Sequence, residues 1–314
     1  MKPITIIKNR SDIGAGTRGS DLGVDAIEIA AINQQNPFFN EHPHIDVPTH
    51  NETIYNKNFL KTEHRIGFVL EQCQRVCDAV STALRDDKFP LILSGDHSSA
   101  FGSLAGIQYA QPSKTLGVIW VDAHADLHSP LSSPSGNVHG MPLAAALGYN
   151  NETLTVNEVN EKTHQLWDEL KKVGGDQAKV APEHLIFFGV RDTEEPEDKV
   201  MEQNKIKNYP VHEIRHRGLF LCVAEALEKL STVDSIYISF DVDSLDCDLI
   251  SKGTGTPVSK GFDIDEVVAI IQQIIASQKV IGMEVTEVNP LLDNKGNRMA
   301  EAAFEVIQRL FQQK

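Results

Sequence analysis

Residues 122 to 126 read Asp-Ala-His-Ala-Asp, and this spacing carries the first chemical information in the chain. In an extended backbone, residues i, i+2 and i+4 point the same way. Asp122, His124 and Asp126 therefore share a side, separated only by the small Ala123 and Ala125. Two carboxylates and an imidazole at the end of a buried apolar run are costly unless something compensates them, and a metal ion does so. Asp241 and Asp243 repeat the spacing in SFDVDSLD, and His97 in SGDHS adds a second imidazole. Four carboxylates and two imidazoles with no thiolate are too many ligands for one tetrahedral zinc and suit two ions bridged by carboxylates. The oxygen-rich set favours Mn²⁺, although Zn, Co, Ni and Fe also bind such ligands. Two ions roughly 3.5–4 Å apart can share a water and lower its pKa toward neutrality, giving a nucleophile without Ser or Cys.

The elements that must position these residues are legible as short apolar runs. Ile4–Ile7, Leu91–Leu93, Leu116–Val121, Leu185–Phe188, Ser235–Phe240 and Val280–Val285 are predicted strands. Their continuous Val, Ile and Leu content suits strands covered on both faces. Helices are predicted at Thr62–Asp86, Glu158–Val173, Leu221–Leu230, Asp265–Ser277 and Ala300–Gln313, with Asp263 or Asp265 capping the fourth. Alternating strands and helices imply an α/β domain with a parallel sheet. Every predicted strand after the first runs into a polar cluster: SGDHS, DAHAD, GVRDTEE, DVDSLD and TEVNP. Ligands in such folds bind outside the carboxyl ends of the strands, so the clusters should converge on one crevice. A single Asp-x-Asp is more simply a cap or a local ion pair; five clusters at five strand ends favour metal. The polar stretch 34–58 reads as a long excursion near the rim of that crevice. The polar stretch 149–183 reads as an insertion carrying one helix. Residues 1–314 form a single domain on this reading.

Composition narrows the function classes. A net charge of −15 over 314 residues disfavours nucleic acid, whose affinity rests on Lys and Arg, and suits a cationic small molecule. No apolar run approaches the roughly 20 residues that span a bilayer, and the N-terminal MKPITIIKNRSD reads as a first strand rather than a signal peptide. The cysteines at 73, 77, 222 and 247 form no CxxC pair, and Cys73 and Cys77 are expected as buried thiols on one helix face. Together these features suggest a reducing compartment and a cytoplasmic location.

SGDHS, DAHAD, SGNVHGMP, SFDVDSLD, GTGTP and EVNP, in this order from about Arg18 to Pro290, resemble the ureohydrolase family of arginases, agmatinases and formimidoylglutamases, with the arginase branch closest. The resemblance implies a three-layer α/β/α domain with a mostly parallel sheet of about eight strands. It implies two Mn²⁺ ions, one held by His97, Asp122, Asp126 and Asp241, the other by Asp122, His124, Asp241 and Asp243. A hydroxide bridging the ions would attack the guanidinium carbon of L-arginine and release urea and L-ornithine. Asp126, as a ligand, belongs with the catalytic group in this scheme. Glu287 would pair with the guanidinium, and His139 would shuttle protons. Ser135 and Asn137 would bind the α-carboxylate, and Thr256 would line the same pocket. Homotrimers or hexamers are the usual assemblies.

The residues themselves support part of that scheme. A cationic guanidinium needs an anion beside it, which Glu287 supplies, whereas Glu284 lies inside the apolar run and should cap or pair locally. His139 sits between Gly136 and Gly140, where backbone can approach a ligand closely; apart from the resemblance it reads as an exposed loop histidine. Three positions depart from the arginase pattern. His128 stands where Asn usually helps to hold the substrate carboxylate. Glu194 stands where Asp contacts the α-amino group, and Glu197, which aligns with a second acidic contact, is the alternative. Cys247 replaces a Pro and should alter loop stiffness more than chemistry. The alternatives are a sister enzyme acting on agmatine, a guanidino acid or formimidoylglutamate, a catalytically silent metal-binding protein, and a deacetylase-like zinc enzyme.

Overall fold

The structure, a computed structural model, describes residues 2–55 and 62–312. Eight strands form one sheet: β1 (Ile4–Asn9), β2 (His44–Asp46), β3 (Phe89–Ser94), β4 (Leu116–Val121), β5 (Leu185–Phe188), β6 (Lys207–Tyr209), β7 (Ser235–Asp241) and β8 (Val280–Thr286). Their order is β2-β1-β3-β8-β7-β4-β5-β6, and all pairs are parallel. Every residue of β3, β4 and β7 is buried, which explains why these strands are mostly apolar. The helices Gly23–Asn33, Leu219–Lys229, Ile264–Ile275 and Arg298–Phe311 pack into one hydrophobic layer. Thr62–Arg85, Ala100–Ala110, Pro142–Leu147 and Glu161–Lys171 contribute to the other, completing an α/β/α sandwich.

The strand order positions the site. β3 and β4 are consecutive in the chain but separated in the sheet by β8 and β7. The five strands that lead into polar clusters are therefore contiguous, in the order β3-β8-β7-β4-β5, and the order reverses among them. This is where an open α/β sheet leaves a crevice.

Most predicted elements appear within a few residues of their expected ends. Asp263, not Asp265, caps Ile264–Ile275: its side chain accepts from Glu266 N at 2.7 Å while Glu266 Oε2 accepts from Asp263 N at 2.9 Å. The final helix ends at Phe311, and Gln313 lies outside the described residues. The stretch 149–183 does carry the helix Glu161–Lys171. The stretch 34–58 departs from expectation. It holds a short helix, Phe38–Glu41, and β2, which extends the sheet edge at β1. None of its described residues lines the crevice, and 56–58 lie outside the described residues. Among the described residues no helix is long and apolar enough to cross a membrane.

Gly95 joins β3 to the first polar cluster. Its N–H donates to Asn9 O at 2.9 Å, and its carbonyl accepts from Glu287 N at 2.8 Å. A Cβ there would come within 2.2 Å of Ser11 O. Because backbone is fixed on both sides, Gly95→Ala should lose about 1–3 kcal/mol in urea unfolding of the metal-free protein. An unchanged midpoint would show that this junction yields.

Candidate metal centre and substrate pocket

His97 follows β3 and begins a single helical turn whose preceding residue, Asp96, accepts from Ser98 N at 2.8 Å. The His97 ring stacks on Trp120 of β4, with centroids 4.2 Å apart and planes 9° from parallel. Its Nε2 lies 2.7 Å from Ser239 Oγ of β7. So oriented, its Nδ1 faces three carboxylates: Asp126 Oδ2 at 2.9 Å, Asp241 Oδ2 at 3.0 Å and Asp122 Oδ2 at 3.1 Å. Nearby, His124 Nδ1 lies 3.0 Å from Asp243 Oδ2 and 3.6 Å from Asp122 Oδ1. Asp122 thus joins two groups, one around His97 and one around His124.

The convergence of Asp122, His124 and Asp126 does not come from one extended strand. β4 ends at Val121, the next residues bend, and Asp126 takes a left-handed backbone with φ of 52°. Bends aim these side chains where simple alternation was the expectation. Left-handed backbone is unfavourable for a residue with a Cβ and persists where surrounding structure enforces it.

Among the described residues, His97 Nδ1, Asp122 Oδ2 and Asp126 Oδ2 are buried with no well-formed hydrogen bond, while they face one another across a common point. Oxygen and imidazole donors arranged this way fit a divalent cation. Electrostatics agree. Burial, then Asp122, pushes the Asp126 carboxyl up to about 7. Burial, then Asp243 and Asp122, raises Asp241 well above the carboxylate range. Burial disfavours charge on His97, but Asp126, Asp122 and Asp241 outweigh it and hold the imidazole well above its usual value. His124 follows the same rule with Asp243, Asp122 and Asp192. Asp122 goes the other way: burial opposes its charge, yet the adjacent His124 and His97 hold it below the ordinary range. Without a cation, the cluster balances its charge by retaining protons.

Above this cluster lies an open cleft, about 850 Å³ counting the solvent at its mouth. Glu287, at φ 66° after β8, is buried. Its Oε1 accepts from His97 N at 2.9 Å and lies 3.0 Å from His139 Nδ1. Burial works against the Glu287 charge, but the charge and hydrogen bond of His139 hold it below the usual value. His139 is shifted upward, because Glu287 outweighs its burial. Its side chain is only 18% exposed, so it is not the exposed loop histidine that its surroundings in sequence suggest. Glu284 is fully buried within the sheet and does not line the cleft.

His128, Ser135, Asn137, Glu194, Glu197 and Thr256 all line the cleft. Thr256 Oγ1 donates to Asp243 Oδ2 at 3.2 Å. His128 Nε2 lies 2.6 Å from Glu194 Oε2 and 3.4 Å from Glu197 Oε2. Both glutamates also form the capping box of the helix Glu195–Asn204. Glu197 is buried, with Oε1 accepting from Leu127 N at 3.1 Å and Oε2 from Glu194 N at 3.2 Å. It supports the rim more than it presents a free acceptor. Cys247 is buried beside Ser259 and does not line the cleft. Cys73 and Cys77 are buried thiols in the core.

Sequence reasoning missed several supports. Buried Arg65 donates to Asn137 Oδ1 from a helix far away in sequence. Arg191 donates to the carbonyls of Gly189, Asp243, Val258 and Ser259, tying the Asp243 turn to its neighbours. Asp192 lines the cleft, 3.7 Å from His124 Nε2. Arg191 and Asp192 lie within GVRDTEE, where their chemistry could have been weighed; nothing local marks Arg65.

The chain matches the model of the Arginase family over residues 2–312. It is 34% identical to an arginase of Bacillus subtilis strain 168, covering 100% of this chain and 99% of that protein. The crystal structure of arginase from Bacillus caldovelox superposes with a TM-score of 0.85 at 33% identity, covering 100% of this chain and 99% of that one. A formimidoylglutamase from Bacillus subtilis shares the fold, with a TM-score of 0.72 at 21% identity over 99% of this chain and 86% of that one.

The retained protons set a pH dependence. Asp126 keeps its proton up to about 7 in the folded state but releases it near 3.8 when unfolded. His97 and His124 also hold protons more tightly when folded. Where the native state binds more protons than the unfolded one, stability falls as pH rises. The metal-free protein should therefore lose melting temperature across the window from Asp126's unfolded 3.8 to its folded value of about 7. Saturating Mn²⁺ should restore it by displacing those protons. A melting temperature that rises through that window in chelator would contradict the charge balance described.

Proposed function

The chain belongs to the arginase family, and from that premise we propose that it hydrolyses L-arginine to L-ornithine and urea using two bound divalent metal ions, with Mn²⁺ as the favoured metal. The observation that carries this reading is the pair of ligand groups around His97 and His124, joined through Asp122 at the base of an open cleft. One ion fits His97, Asp122, Asp126 and Asp241; the second fits Asp122, His124 and Asp243, with Asp241 beside them. Such ions supply Lewis acidity and ionise water near neutral pH.

The remaining roles belong to the protein. Glu287 supplies buried negative charge for a guanidinium, with Oε1 engaged by His139 and His97 N and its second oxygen free of those bonds. His139, bonded to Glu287, is placed to carry a proton toward the departing amine. Ser135 and Asn137 offer polar groups to a carboxylate at the rim, with Arg65 holding Asn137 in place. Thr256 steadies Asp243. The acidic surface and buried thiols suit a cytoplasmic enzyme, and a homotrimer or hexamer is the assembly proposed.

A second reading has a specific observation behind it. His128 and Glu194, the departures from the arginase pattern, are bonded to each other across the rim. That contact engages two groups that would otherwise face the amino-acid end of the substrate. It favours a sister activity on a guanidino acid, agmatine or formimidoylglutamate.

The test is urea release by Mn²⁺-loaded protein from L-arginine, agmatine and a guanidino acid, with formamide release from formimidoylglutamate in parallel. Arginine should exceed the others in kcat/KM by at least about tenfold; a different winner moves the assignment to the sister activity. Glu194→Asp should shorten the reach to His128 and lower KM for arginine, whereas an unchanged KM would remove Glu194 from substrate recognition. His139→Asn should keep bound metal and lose about 100-fold or more in rate, and an unaltered rate and pH profile would dismiss the shuttle.

A further inference from the structure

Behind the His97 ring, on the side away from the carboxylates, a line of hydroxyl groups enters the sheet. Ser239 and Tyr237 are two residues apart on β7 and share a face. Glu284 of β8 is in register with Ser239. Tyr237 Oη donates to Glu284 Oε2, and Ser103 Oγ donates to the same oxygen at 2.6 Å from the helix Ala100–Ala110. Tyr237 is also hydrogen-bonded to Ser103 and to Ser239, and the Ser239 Oγ meets His97 Nε2 at 2.7 Å. Ser239, Tyr237, Glu284 and Ser103 are all buried.

We propose that Tyr237 and Glu284 are positioning residues for His97, forming with Ser239 a buried hydrogen-bond chain that prepares Nδ1 of His97 for a divalent metal ion. This rests on the metal reading above. When Nδ1 is given to a metal, Nε2 remains an N–H and donates to Ser239 Oγ. Ser239 donates to Tyr237 Oη, and Tyr237 donates to Glu284. Each hydroxyl both accepts and donates, so the chain has one direction and ends on an acceptor. An ionised carboxylate is acceptor-only, which suits the two O–H donors that meet Glu284 Oε2. Burial, then Glu284, raises the Tyr237 phenol well above its usual value, so it stays a donor.

Two consequences follow. The chain fixes the tautomer and the ring plane, which Trp120 holds from one face. It also polarises the imidazole toward greater basicity, as hydrogen-bond partners of metal-ligating histidines do. The placement of Glu284 makes sense on these terms. A carboxylate buried in the middle of a sheet is expensive, and its other oxygen, Oε1, has no hydrogen-bond partner among the described residues. A dication at the far end of the chain supplies a counter-charge that no side chain bonded to Glu284 provides.

The test uses the whole 314-residue chain, stripped with chelator and titrated with Mn²⁺ by calorimetry. Tyr237→Phe keeps the ring and removes one hydroxyl; Glu284→Gln keeps the shape and removes the charge. Each should weaken Mn²⁺ binding about 10- to 100-fold, while the metal-free melting temperature stays close to that of the parent. At saturating Mn²⁺ both variants should show lower kcat with KM for the guanidino substrate within about twofold, because His97 does not act through the rim. Ser103 meets Tyr237 and Glu284 but not Ser239 or His97, so Ser103→Ala leaves the path from His97 to Glu284 in place and should bind Mn²⁺ within about twofold of the parent. Unchanged Mn²⁺ affinity in both Tyr237→Phe and Glu284→Gln overturns the proposal and leaves the metal site standing. An equal loss in Ser103→Ala overturns it too, by making the network a general support. A parent protein that binds no divalent metal removes both the metal reading and this inference.

Discussion

The constraint on which the structure depends is the burial of like charge. Asp122, Asp126, Asp241 and Asp243 are all at most 5% exposed, and three of them crowd one imidazole nitrogen. In water they would separate; inside a protein they persist only if something neutralises them. Protons can do this in the metal-free state and divalent cations can do it better. The remaining architecture serves to keep these groups from relaxing apart. Strand order places their parent strands side by side, and neighbouring strands cannot spread without breaking their ladders. Asp126 and Glu287 both sit at positive φ, which places strain at the site itself.

Charge is arranged in layers around this centre. His139 and Glu287 neutralise each other at the wall of the cleft. Arg191 spends its donors on four backbone carbonyls rather than on a carboxylate. A cation placed directly against Asp243 would compete with metal for its oxygens. An arginine that grips the carbonyl of Asp243 instead fixes the turn and leaves the carboxylate available. The candidate ligand carboxylates themselves face histidines, which would deprotonate to bind a metal, and no lysine or arginine pairs with them among the described residues.

Much of this was legible in sequence because it is encoded locally. A strand buried on both faces must be apolar throughout, so β4 and β5 were found to the residue and β1, β3, β7 and β8 within two. The ligand candidates stood out because each follows an apolar run, where a polar cluster is conspicuous. The strands β2 and β6 were missed because each has three residues at a sheet edge, with polar composition and partial exposure. The helix Ala100–Ala110 was missed for the opposite reason: its first eight residues are all buried, so it lacks the polar face that creates helical periodicity. Arg65, Ser239 and Tyr237 carried no signal, since a hydroxyl or guanidinium acquires a role only from a partner distant in sequence. Glu284 was visible as an anomaly in an apolar run, but its meaning lay in Tyr237 and Ser103.

The rim obeys different physics from the base. The candidate ligands are fixed by strand ends and buried bonds, so a substitution among them disturbs charge balance directly. His128 and Glu194 instead sit on a loop and at a helix N-cap, and the Glu194 side chain is 51% exposed. Their changes are coupled in geometry. The glutamate's extra methylene, relative to aspartate, lets a carboxylate anchored at the N-cap reach His128 Nε2 at 2.6 Å. An imidazole is longer than an asparagine amide and can meet it halfway. Replacing both positions together exchanges two groups that would face a substrate for one internal pair, at little cost to the fold because the capping box is kept. Substrate preference can therefore shift at this rim without any change in the ligand shell beneath it, which separates which molecule is held from what is done to it.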